Sequence, residues 1–126
     1  MAFNILLVAL GGAMGSVARY LSTLAATRLF GSSFPWGTLF VNLLGSFLMG
    51  IVVEVVARRF DASNELRLLL GTGVLGGFTT FSSFTLDAAM LAERGELALA
   101  FFYVAGSVLL GLAALFAGLA LARSLA

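Results

Sequence analysis

The residues with most to offer chemically lie in one run, Gly76-Gly77-Phe78-Thr79-Thr80-Phe81-Ser82-Ser83-Phe84. Adjacent glycines and a cluster of hydroxyl side chains sit here inside a segment that is otherwise apolar. Such a run suits a place where a helix is interrupted and its backbone meets something polar. An interrupted backbone survives at membrane depth only inside protein or beside a water-filled cavity. The interruption frees carbonyl oxygens that can coordinate a hard cation, and half-helix ends favour ions of the matching sign. The competing physical reading is an unbroken helix whose glycines form a close-packing seam, and the residues alone leave both open. Phe81 and Phe84, three positions apart, share a helix face. They either pack against lipid or a neighbouring helix, or turn the positive edges of their rings inward. Inward edges would hold a small anion weakly enough to let it leave.

Other polar side chains recur at helical spacing. Thr38, Asn42 and Ser46 repeat every fourth residue and line one face. A polar stripe in lipid either joins helices or lines an aqueous path. Interhelical polar contacts contribute only ~1 kcal/mol, so joining alone is a modest motive. Tyr103, Ser107 and Gly111 repeat the spacing nearer the C-terminus, although Tyr103 also fits an interfacial aromatic belt. If Asn42, Tyr103 and Ser107 face one another they form a track of hydrogen-bond donors, which a strongly hydrated anion needs in place of its water. Arg19 shares a face with Gly11 and Gly15. An arginine inside a span is a functional candidate by default, and the alternative is snorkelling to the headgroups. Either way it raises the positive potential at a pore mouth. Glu54 and Asp87 fall near expected helix ends, where solvated positions are expected. Asp87 shares a face with Ser83 and Phe84 and is kept as a pore-mouth candidate.

The elements that must position these residues follow from composition. Of 126 residues, 61% are hydrophobic and 10% charged, which points to an all-α integral membrane protein. The apolar runs are continuous and lack the alternation of a transmembrane strand. With no histidine and no cysteine, disulfides, Cys/His metal sites, thiol catalysis and histidine relays are excluded. A net charge of +1 leaves no footprint for nucleic acid. No paired carboxylates, nucleophile–base pair or phosphate loop is visible, so no enzyme is expected. Ser16-Val17-Ala18 resembles a signal-peptide cleavage site, but no basic region precedes it and glycines interrupt the apolar run. The first segment therefore reads as a retained span.

A single domain of four spans is expected, at 5–26, 36–57, 66–90 and 97–121. Gly31-Ser32-Ser33-Phe34-Pro35 closes the first loop, with Pro35 suited to a helix start. Asp61 to Glu65 offers cap residues for the third helix, and Gly95 a C-terminal stop before the fourth. Short loops make consecutive helices antiparallel neighbours. Arg58, Arg59, Arg67 and Arg123 fall on the side of the termini, Arg28 and Arg94 on the other. This near balance permits insertion in both orientations. Small residues one turn apart recur as Gly11/Gly15, Gly73/Gly77, Ser46/Gly50 and Ser107/Gly111. They suit close helix packing within one subunit, and an oligomer, most simply a symmetric dimer, is a natural way to bury the rest.

Gly11-Gly12 through Arg19-Tyr20, the Gly-Thr-Leu-x-Val-Asn core within residues 35–45, and the run Gly76 to Phe84 together resemble the Fluc/CrcB fluoride channels. The likeness spans all four segments in order, and the third motif is the specific one. The resemblance implies an antiparallel dual-topology homodimer with a break in the third helix and two fluoride pores. It implies a structural sodium ion at the dimer interface, held by the backbone carbonyls of Gly76 and Thr79. It also assigns Phe81 and Phe84 as the inward-edge rings, Asn42 as the pore amide, and Tyr103 and Ser107 as the polar track. Ser83 stands where the family usually carries threonine, which keeps the hydroxyl. Gly111 stands where some relatives carry another hydroxyl.

The function expected is a passive channel in the cell (inner) membrane that lets fluoride leave the cytoplasm and so lowers toxic intracellular fluoride. A small dual-topology proton-coupled exporter of drugs or cations is a rival, but it needs a carboxylate deep in a span, usually the first, and the first segment has none. A non-conducting membrane assembly subunit would explain the glycine seams but not the Thr-Thr-Phe-Ser-Ser-Phe sequence.

Overall fold

A computed structural model describes residues 1–59 and 64–125, with side chains described for 1–56 and 64–125. The expected cap residues Asp61, Ala62 and Ser63 and the side chains of Arg58 and Arg59 lie outside the described residues. Helix α1 runs Ala2–Phe30 and α2 runs Trp36–Arg59. A continuous helical stretch, α3, follows in three pieces: Asn64–Leu66, a π-helical Arg67–Leu75, and Gly76–Phe78. Helix α4 is Ser82–Glu93 and α5 is Leu97–Leu125. Among the described residues, four spans are long and apolar enough to cross a membrane: Ala2–Phe30, Trp36–Val56, Asn64–Glu93 and Leu97–Leu125. The chain is a multi-pass membrane protein. The first, third and fourth spans run further than their apolar cores, because helix continues wherever the backbone can bond to itself.

Local chemistry sets the turns. Gly31 (φ 81°) ends α1 with its N–H on the Thr27 carbonyl at 2.8 Å. Pro35 lacks a donor but its carbonyl accepts from Leu39 N–H at 3.2 Å, so it opens α2 at no cost. Gly95 (φ 83°) donates to Ala92, and Glu96 N–H reaches back to Leu91 at 3.0 Å, which closes α4 in a left-handed stop. Arg94 Nη2 then bonds the Ser33 carbonyl at 2.7 Å and pins this turn to the first loop.

The third span changes neighbours along its length. Its first half, α3, packs mainly on α1, whereas α4 packs mainly on α5, and α2 packs mainly on α5. The backbone departs from helix between those two regimes: Thr79 has φ −89° and ψ 162°, and helix resumes at Ser82. Gly76 does not carry this departure, since its dihedrals (φ −63°, ψ −37°) are those of an ordinary helix. The freedom of glycine is not used there. The π winding just before it gives Gly76 N–H an i−5 bond to the Gly71 carbonyl.

The small residues serve contact within the one chain. A Cβ on Gly11 would lie 2.9 Å from Gly73 Cα, and one on Gly15 would meet the Val74 carbonyl and Phe78 N–H. A Cβ on Gly77 would lie 2.6 Å from the Gly12 carbonyl. On the other seam, Gly50 abuts Leu115 and Leu119, and Gly118 abuts Phe47 and Ile51. These glycines let backbones touch, which is how helices associate when lipid offers no hydrophobic drive. Gly111 is different: a Cβ there would meet only Ser46 Oγ, at 3.8 Å. Glu54, expected to be solvated, is instead largely covered, its carboxylate taking Arg123 Nε at 2.7 Å and joining the ends of α2 and α5.

Candidate functional site

Asn42 on α2 and residues 79–81 form the centre of the site. The Asn42 amide binds the Thr80 backbone in both directions. Its Nδ2 donates to the Thr80 carbonyl at 2.9 Å and its Oδ1 accepts from Thr80 N–H at 2.8 Å. A side-chain amide thereby replaces the helical partners that an extended Thr79 denies to Thr80. Thr80 Oγ1, one residue ahead of the Phe81 N-cap, accepts from Ser83 N–H at 3.1 Å and so satisfies one of the free donors in the first turn of α4. From α1, Arg19 Nε donates to the Gly77 carbonyl at 3.0 Å.

These bonds decide which carbonyls are left over. The helical donor to Gly76 would be Thr80 N–H, which is on Asn42 instead. The donor to Thr79 would be Ser83 N–H, which is on Thr80 Oγ1. Both carbonyls thus lack their helical donors, and oxygens in that state suit a hard cation such as sodium. Gly76 is exposed on the isolated chain. The residues present therefore fit the ion that the resemblance implies.

The two phenylalanines differ in setting. Their ring centroids are 5.9 Å apart and the planes tilt by 47°. Phe84 is buried at 9% exposure, while Phe81 stands out from the chain at 76%. Phe84 leans on Tyr103 (5.2 Å), Tyr103 meets Phe34 edge-on (5.4 Å, 85°), and Phe34 rests on Trp36 (4.7 Å). A ladder of rings so runs from the centre of the site to the first loop.

A groove of about 250 Å³ opens beside the rings, lined by Asn42, Ser46, Thr80, Phe81, Phe84 and Ser107. Ser107 Oγ is fully buried there and has no hydrogen-bond partner in the protein. A hollow of about 440 Å³ adjoins the groove, sharing Ser46, Ser107 and Gly111 and reaching Thr79. Tyr103 is not among the groove's residues. It is 2% exposed behind Phe84, with its hydroxyl donating to Asp87 Oδ2 at 3.2 Å and Thr38 within reach of the Tyr103 hydroxyl oxygen. Beyond Tyr103, a polar pocket of about 200 Å³ is bordered by Thr23, Thr27, Thr38, Asp87 and Arg94.

Of the residues singled out from sequence, Asn42, Phe81, Phe84 and Ser107 share the groove, and Gly76 and Thr79 share the adjacent backbone. Thr38, Tyr103 and Asp87 form a second polar group. Arg19 is partly buried with its Nε on the backbone. Thr80 and Phe34 were not singled out. Thr80 was findable as a hydroxyl three residues before Ser83 at a helix start, and Phe34 as the apolar residue just ahead of Pro35 at another.

The chain matches the family described as "CrcB-like protein, Camphor Resistance (CrcB)" over residues 6–119. It is 63% identical over 122 residues to a protein of Agrobacterium fabrum named fluoride-specific ion channel FluC, covering 97% of this chain and 98% of that one. Similar proteins of the same name from Chelativorans sp. and Mesorhizobium japonicum are 56% and 52% identical, each over 98% of both chains.

Proposed function

Because the chain belongs to the CrcB family, we propose that it is a fluoride-specific ion channel that releases cytoplasmic fluoride passively across the inner membrane. The observation that carries the reading is a groove walled by the Asn42 amide, the Phe81 and Phe84 rings and Ser107, whose buried hydroxyl has no partner in the protein. A donor without an acceptor at membrane depth is costly, and a turn of the Ser107 side chain toward the groove would offer it to a passing anion. Ring edges add weak positive potential without a fixed charge, so binding stays loose enough for exit. Hydrogen fluoride enters cells as the neutral acid and dissociates inside. A membrane potential negative inside then drives the anion outward by ~2.3 kcal/mol per 100 mV.

The functional unit in this reading is an antiparallel homodimer of oppositely inserted chains. Phe81 and Gly76 are exposed on one chain, and the groove is open on one side, as expected of surfaces that a second copy completes. The departure from helix at residues 79–81 is then a membrane-embedded break. The Gly76 and Thr79 carbonyls of both copies would hold one sodium ion, which would supply a fixed positive charge to join the subunits.

The test is fluoride release from liposomes containing the purified chain, read with a fluoride electrode while an ionophore sets the potential. Rapid release with little chloride flux is expected, with no requirement for a proton gradient. No release, or release only under a proton gradient, defeats the proposal, and the second result would favour the exporter. Cross-linking of matched third-span positions tests the antiparallel pairing.

A further inference from the structure

We infer that Arg19 works as a backbone donor: through Nε it holds the Gly77 carbonyl and so positions the non-helical residues 79–81, and its positive charge is incidental to that role. The geometry leads there in three steps. First, the helical donor to Gly77 would be Phe81 N–H, which lies across the extended Thr79. Arg19 Nε takes that donor's place at 3.0 Å, from a residue 58 positions away. Second, the reach depends on the glycine seam. Gly11 and Gly15 bring the α1 backbone against residues 69–78, and Arg19 is the next residue on that face, one turn on. Third, two side chains divide the carbonyls of the link between them. Arg19 takes Gly77 and Asn42 takes Thr80, while Gly76 and Thr79 keep neither a helical donor nor a side-chain one from these two. Without Arg19, the Gly77 oxygen would lose its donor, and the backbone would satisfy it most simply by winding 77–81 back into helix. That rewinding would also remove the arrangement in which Asn42 holds Thr80.

Because the bond is made by Nε and not by a terminal nitrogen, a sharp ordering of substitutions follows. Glutamine places its Nε2 donor the same number of bonds from Cα as arginine Nε, and it carries no charge. Lysine keeps the charge but has a methylene at that position, with its ammonium one atom further out. Methionine matches the length with neither donor nor charge. A backbone-holding role therefore ranks Arg19→Gln above Arg19→Lys, with Arg19→Met lowest. An electrostatic role reverses the first two.

The test measures thermal unfolding of the full chain in detergent for the three variants, and fluoride release from liposomes at low and high ionic strength. Arg19→Gln should unfold within a few degrees of the unsubstituted chain, whereas Arg19→Lys and Arg19→Met should each fall by about 5 °C or more. Flux should follow the same order at both salt concentrations. The inference is overturned if Arg19→Lys matches or exceeds Arg19→Gln in either measurement. It is equally overturned if Arg19→Gln fails to fold, or if all three variants behave as the unsubstituted chain. The flux measurement rests on the fluoride-channel reading and the unfolding measurement does not, so a chain that never conducts fluoride would sink that reading while the unfolding order still judged Arg19.

Discussion

Asn42→Asp offers the most exacting perturbation of the site, because it changes one atom of a two-way contact. The acceptor bond from Thr80 N–H at 2.8 Å survives the change. The 2.9 Å bond from Nδ2 to the Thr80 carbonyl becomes a carboxylate oxygen facing a carbonyl oxygen. Leaving that carbonyl unsatisfied costs about 1–3 kcal/mol, and an ionised carboxylate near the centre of a span costs a further ~2.5–3.5 kcal/mol. Together these come to about 3.5–6.5 kcal/mol, roughly a few hundredfold to more than ten-thousandfold in any equilibrium that requires the held backbone. Fluoride release at neutral pH should therefore fall to background, and the thermal midpoint should drop. Acidification should return part of the midpoint, because a protonated carboxyl both donates and accepts, as the amide does. The recovery is read by unfolding alone, since hydrogen fluoride crosses bilayers unaided in acid. An Asn42→Asp chain with unchanged release and midpoint would refute the reasoning, as would an Asn42→Leu chain that unfolds like the original.

Three further outcomes are expected. Ser107→Ala removes a buried hydroxyl with no protein partner, so it should raise stability by about 1 kcal/mol while slowing fluoride release; a destabilised variant would show that the hydroxyl is bonded after all. Phe81→Ile removes a ring from the groove wall and should reduce release about tenfold or more, and release at the original rate would remove Phe81 from the pathway. Gly15→Ala drives a Cβ into the Val74 carbonyl and to 2.8 Å from Phe78 N–H, so it should cost about 1–3 kcal/mol by overpacking. Gly106→Ala, with nothing within 4 Å, should be neutral or stabilising by up to ~1 kcal/mol, and equal effects of the two would contradict the seam.

The four spans were legible because lipid demands long apolar runs, and a run is a local property of sequence. The turns at Gly31, Pro35 and Gly95 were legible for the same reason, since each depends on the dihedrals of one residue. The site was legible only in its residue types. Asn42 and Thr80 are 38 positions apart, and nothing in either segment says that the amide binds backbone and not another side chain. Arg19 read as a charge near a mouth because spacing cannot show which nitrogen is used or what it meets. The glycines of the third motif fitted an interruption or a packing seam equally, and in the structure Gly76 is helical while Gly77 serves the approach to Gly12. Glycine has two uses, conformational freedom and absence of bulk, and only the tertiary neighbours decide between them. The π winding of Arg67–Leu75 left no mark on composition or spacing.

The ring ladder has a practical corollary. Trp36 is the single tryptophan of the chain, and it shares Phe34 with Tyr103, the two contacts being 4.7 and 5.4 Å. Its indole emission is therefore an intrinsic optical readout of the Tyr103–Asp87 neighbourhood, available without labels. Rearrangement of that phenol as halide is added should register as a wavelength or intensity change at Trp36, and Phe34→Leu should uncouple the two.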